Sequence, residues 1–122
     1  MTGVTGIGGV FFRSEDPEAL RDWYAEHLGV PVDAGGYVVF RWPGDGTTTW
    51  APFPADTGYF GDGSTTFMIN YRVDGLDAML ARLREAGVRV DDEVAEHEYG
   101  RFGWAYDPEG NRIELWQPAP GQ

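Results

Sequence analysis

The sequence predicts an α+β domain made of two tandem βαβββ modules, with the helices on one face of a sheet and the other face open. Two observations lead there. Two amphipathic helical stripes each follow a strand-like run and precede a short apolar segment. These elements then recur at a nearly constant offset: Arg13 to Arg72 and Ala19 to Ala78 are 59 residues apart, and Val30 to Val88 is 58.

Val10-Phe11-Phe12-Arg13 reads as the first strand. Asp16-Pro17 then opens a helix, the acid as N-cap and the proline at the first helical position. Leu20, Trp23, Tyr24, His27 and Leu28 form its stripe, and Gly29 is the stop. His27, in the last turn, meets the helix dipole favourably and reads as structural. Gly29-Val30-Pro31-Val32 is a short extended segment. Trp42-Pro43-Gly44-Asp45-Gly46 is a turn before Thr47-Thr48-Thr49-Trp50.

The second copy runs in the same order. Phe67 to Val73 is its strand, and a helix follows Asp74 with Leu76, Met79, Leu80, Leu83 and Ala86 as its stripe. Gly87-Val88-Arg89-Val90 matches the segment at Gly29. Asp107-Pro108-Glu109-Gly110-Asn111 is the turn before Arg112-Ile113-Glu114-Leu115-Trp116. The modules span about 4–52 and 64–118 of a single domain, 1–122. Between them lies a linker from Pro52 to Ser64, rich in Pro and Gly, with Phe53, Tyr59 and Phe60 to pack it down or to cover a pocket. A ferredoxin-like sandwich also has an internal repeat, but it accounts poorly for the turn–strand pairs at Pro43 and Pro108.

Composition narrows the chemistry. Nine basic residues against 20 acidic ones give a net charge of −11, and every base is arginine. The absence of lysine removes Schiff-base chemistry, and the absence of cysteine removes thiol nucleophiles and thiolate zinc sites. So negative a field repels phosphate backbones and favours a cationic ligand, so nucleic acid is not an expected partner. No apolar run is long enough to span a membrane, and the start has no basic flank of a signal peptide, which makes the cytoplasm the expected compartment.

Gly6-Ile7-Gly8-Gly9-Val10-Phe11-Phe12-Arg13, Asp16-Pro17 and Trp23-Tyr24 through His27-Leu28-Gly29 resemble the first module of the vicinal oxygen chelate superfamily. That group contains glyoxalase, extradiol dioxygenases and the bleomycin-resistance protein. Tyr99 to Trp116, with Asp107-Pro108-Glu109-Gly110-Asn111 at its centre, is similar to the superfamily's closing strand–turn–strand. The likeness covers about residues 4–118. It implies a cupped mixed sheet of eight strands, a site enclosed by two modules, and commonly a homodimer.

Enzymes of that superfamily hold a divalent ion on the first and last strands of each module. Carried onto this chain, those places fall on Gly9, Thr48 or Thr49, Met68 and Glu114. A catalytic ion wants about three ligands, normally His and carboxylate. One glycine, one threonine, one thioether and one acid do not make that set, so no cofactor is expected, and a divalent metal would have to be held through Glu114 without the usual companion ligands.

Period two places Ile113 and Leu115 of the last strand on the helix side, and Arg112, Glu114 and Trp116 on the open side. Glu114 is then a carboxylate in an aromatic cup, a hydrogen-bond acceptor, a seat for a cation or a base. Met68 and Asn70 share the open face of their strand and read as ligand wall and orienting amide. Trp50 and Trp104 offer rings for stacking, and Arg101 a cation at the mouth of the closing hairpin. His97 is a candidate acid–base group or replacement metal ligand, or an exposed strand or loop residue. The expected activity is metal-independent binding or sequestration of an aromatic or cationic small molecule. The alternative is a lyase, isomerase or dioxygenase-type enzyme using Glu114, with His97 or Asn70 assisting.

Overall fold

A computed structural model describes residues 9–41, 44, 46–61 and 64–122. The Gly6–Gly8 stretch and the Trp42, Pro43 and Asp45 part of the first turn lie outside the described residues. The elements in chain order are α1 (Pro17–Leu28), β1 (Ile69–Arg72), α2 (Leu76–Glu85), β2 (Ala95–His97), β3 (Gly100–Tyr106) and β4 (Arg112–Pro118).

α1 begins and ends as its residues dictate. The Asp16 side chain accepts from the Ala19 amide at 3.1 Å, Pro17 follows, and Gly29 takes the left-handed conformation at φ 71°. α2 starts one residue later than Asp74 suggests. Its N-cap is Gly75, which has no side chain to offer, and the Gln117 side chain of β4 accepts from the Leu76 amide at 2.8 Å instead.

The four strands lie in the order β1-β4-β3-β2. β4 is central, parallel to β1 and antiparallel to β3, and β2 pairs antiparallel with β3. Leu76, Leu80 and Leu83 of α2 and Leu20 and Tyr24 of α1 bury themselves against Ala105, Ile113 and Leu115. Both helices therefore cover one face, as an α+β arrangement requires. Gly103 lets α2 approach, since a Cβ there would stand 3.0 Å from Leu80 Cδ1. Gly100, at φ 138°, sits against the Gln117 carbonyl and the Trp116 indole nitrogen, where no side chain fits.

Two expectations are corrected. The sheet has four strands among the described residues, one βαβββ module rather than eight strands from two. Among the described residues, the first copy contributes α1 and a single bridge between Val32 and Val38. The reason lies in what each copy can bury. Counting back from Trp116 and Trp50, the core residues Ile113 and Leu115 correspond to Thr47 and Thr49, which bring no apolar side chain to a helix-covered face. Second, Gly87–Val90 forms one bridge, Val90 with Ala105, and the strand after α2 is Ala95–His97.

Asp107 fastens the closing turn. Its carboxylate accepts from the Tyr24 hydroxyl and the Asn111 amide group, both at 2.8 Å, and from the backbone amides of Glu109 and Asn111. Every lone pair of this buried acid has work, which is how a buried charge is tolerated. Burial, then the neighbouring Tyr71 and Asp107, hold the Tyr24 phenol far above its ordinary value.

Candidate functional site

Alternation on β3 and β4 sends Phe102 and Trp104, and Arg112, Glu114 and Trp116, to the face away from the helices. Asn70 stands beside Glu114 in the parallel β1–β4 pair, and Trp104 opposite Glu114 in the antiparallel β3–β4 pair. The register thus delivers two donors to one acid. Asn70 Nδ2 donates to Glu114 Oε1 at 2.8 Å, and Trp104 Nε1 to Oε2 at 3.0 Å. A third donor comes from the linker: the Tyr59 hydroxyl donates to the same Oε2. Glu114 is only 7% exposed, so these contacts replace its water.

Tyr59 sits edge-on to Trp104 with ring centroids 6.1 Å apart, and Phe53 stacks on Tyr59 at 5.6 Å. Phe60 packs on Phe53 in turn. The three linker aromatics therefore pack together, and one of them reaches into the open face. Burial, then its hydrogen bond to Glu114, push the Tyr59 phenol well above its ordinary value.

Arg112 is the next open-face residue along β4. Its guanidinium carbon lies 5.2 Å from the Trp104 ring, 5.8 Å from Tyr59 and 5.9 Å from Tyr106. Nη2 pairs with Asp91 at 2.6 Å, while the buried Nη1 has no hydrogen-bond partner among the described residues. At the other end of the face, Phe102 and Trp116 stack in parallel at 6.0 Å, and Arg72 lies over Trp116 at 5.0 Å.

The structure brings together Glu114, Asn70 and Trp104 from among the sequence candidates. His97 shares the open face but pairs with Gly100, four residues along β3 from Trp104, ~13 Å at the usual strand rise. There it stacks on Tyr99 at 5.2 Å and meets the Phe102 edge, out of reach of Glu114. Arg101 points to the helix side, where it pairs with Asp77 of α2 at 2.9 Å and Glu96 at 3.0 Å. It is a helix–sheet tie, with no place at the mouth of the open face. Trp50 is 77% exposed and Met68 half-buried just before β1.

Tyr59 and the Nη1 of Arg112 are what sequence patterning underrates. Strand alternation does place Arg112 on the open face, but nothing periodic singles out Tyr59. Its one signal is an aromatic between Gly58 and Gly61 in a segment otherwise built of turns.

The four places where the superfamily holds an ion do not make a donor set. Among the described residues no three His, Asp or Glu side chains come together as a metal would need. Both Glu114 oxygens already accept from protein groups, and Gly9 has no side chain to contribute. No helix among the described residues is long and apolar enough to cross a membrane.

Comparison with known proteins places this architecture. No curated protein matches the chain in sequence. Among solved structures it is similar to TnmS3, an antibiotic-binding protein from Streptomyces sp. CB03234, with 22% identity, 98% of this chain and 100% of that one covered, and a TM-score of 0.60. It is also similar to a glyoxylase/bleomycin resistance protein/dioxygenase domain from Frankia sp. EAN1pec, at 18% identity over 96% and 100% of the two chains, with a TM-score of 0.58. At such identities these likenesses speak for the fold alone. The sequence pattern of one family matches residues 6–115, nearly the whole chain. The chain belongs to the Glyoxalase/Bleomycin resistance protein/Dioxygenase superfamily.

Proposed function

We propose that the protein binds and sequesters a flat aromatic or cationic small molecule on its open sheet face, without a metal. The observation that carries this reading is the state of Glu114. Its carboxylate is buried among Trp104, Tyr59 and Asn70 and accepts from all three. Such a group can take one hydrogen bond from a ligand between rings, whereas an ion would have to strip those donors away. The net charge of −11 favours cationic over anionic compounds. TnmS3, similar in fold, is an antibiotic-binding protein, and that supports a small-molecule ligand as the class.

The same reading takes the working unit to be a cytoplasmic homodimer, in which a second copy covers the apolar surface of the half that precedes the linker. Its support is the exposure of that surface: Phe11 is 97% exposed, Tyr37 72% and Phe40 61%. Rings so placed favour cover by a second copy.

The test is thermal denaturation of protein purified without chelator, beside elemental analysis. A panel of flat aromatic cations and neutral arenes should include compounds that raise Tm by several degrees at saturation, unchanged by chelator. Stoichiometric bound metal, with stabilisation that vanishes on chelation, would instead support the enzyme reading with Glu114 as metal ligand or base.

A further inference from the structure

We infer that the ligand is a phenol, and that Tyr59 occupies its seat as an intramolecular stand-in. The inference rests on the small-molecule reading above and narrows it to a ligand class.

Tyr59 belongs to the linker, not to the sheet, yet it makes every contact a ligand would make. Its hydroxyl donates to buried Glu114, its ring meets Trp104 edge-on, and the Arg112 guanidinium faces it at 5.8 Å. These three sheet groups form a complementary set. A carboxylate prefers a hydroxyl donor, an indole a second ring at right angles to it, and a guanidinium an electron-rich ring. An aromatic cation would meet Arg112 as a like charge, so an electron-rich, hydroxylated ring fits better. Asp91 pairs with Nη2 of Arg112, and Nη1, without a hydrogen-bond partner among the described residues, can donate to a second oxygen on the incoming ring.

Tyr59 can leave this seat more easily than the sheet residues can leave theirs. It is 38% exposed, it lies between Gly58 and Gly61, and Phe53, its stacking partner, is 45% exposed. A phenol entering the seat exchanges one hydroxyl donor to Glu114 for another. An arene without a hydroxyl leaves the buried acid short of a donor, and that loss sets the selectivity.

The experiment compares 4-methylumbelliferone with its methyl ether, by fluorescence titration at mildly acidic pH where the hydroxyl keeps its proton. Wild type, Tyr59→Phe and Tyr59→Leu are used, with melting curves to confirm folding. Wild type should prefer the hydroxycoumarin. Tyr59→Phe, which empties the hydroxyl position, should bind it about ten-fold more tightly and the ether by much less. Tyr59→Leu should tighten both.

Weaker hydroxycoumarin binding in both variants would make Tyr59 a wall of the site and overturn the inference. Equal affinity for the two coumarins in all three proteins would also overturn it. Either result leaves the small-molecule reading standing, because a coumarin still binds. Failure of all three proteins to bind either probe would overturn the phenol inference, while the small-molecule reading stands or falls on the panel of cations and arenes.

Discussion

The two copies of the repeat have met different fates. In the second, the apolar stripe of α2 and the inward residues of β3 and β4 are almost fully out of water, with Leu76, Leu83 and Leu115 at 0% exposure. In the first, among the described residues, α1 and the neighbouring Val30 reach that core, while Phe11, Tyr37, Phe40 and Trp50 stand in solvent. A repeat in sequence preserves the order of elements. It does not guarantee that both copies retain enough apolar surface on one face to close a sheet.

This contrast can be broken most forcefully at the core. Leu83→Ala should cost ~3 kcal/mol in denaturant unfolding, through lost burial and the cavity left behind. Trp50→Ser, at a large but exposed ring, should change monomer stability by less than ~0.5 kcal/mol. Comparable losses in the two variants would mean that the first copy is packed after all.

A smaller effect lies in the tyrosines that join α1 to the second copy. Burial pushes the Tyr71 phenol from 10.0 up to about 12, and its ring lies 5.6 Å from that of Tyr24. A raised folded-state value means that stability is complete below pH 10.0 and is lost as the pH climbs towards about 12. Melting curves across that range should show alkaline destabilisation, reduced in Tyr71→Phe. An unchanged alkaline limb in the variant would detach Tyr71 from it.

The smallest effect tests the tie between α2 and the sheet. The Arg101 guanidinium beside Asp77 holds that carboxyl below the usual carboxylate range. A lowered folded-state value contributes stability above the ordinary carboxylate range, lost as the pH falls through the lowered value. Asp77→Asn should therefore flatten the acid limb slightly, and added salt should shrink the difference. An acid limb as steep as that of wild type would remove Asp77 from the account.

Much of α1 and of the second copy is legible from residue pattern. The Asp16-Pro17 start and Gly29 stop bound α1, and period two assigns Glu114 to the open face and Ile113 and Leu115 to the core. The same alternation along β3 separates Arg101 from Phe102 and Trp104. Reading Arg101 as a group at the hairpin mouth overlooks it. Tyr59 is a different kind of difficulty. Its contact with Glu114 spans 55 residues and comes from a segment without period, so only the fold reveals it. The four strands, where eight are expected, trace to Thr47 and Thr49, whose lack of apolar surface is plain in sequence but whose consequence depends on packing.

The central position of β4 bears on how the chain folds as it is made. The strand that joins β1 to β3 is the last of the four to leave the ribosome. Until Trp116 emerges, β1 lacks the strand it pairs with, and α2 has only part of the surface it will cover. Loop closure between β1 and β4 must span α2, β2 and β3, a long-range pairing that slows folding. A nascent chain stalled before Arg112 would thus show helices and a β2–β3 hairpin, exposed to chaperones, and would close into a sheet only when synthesis resumes.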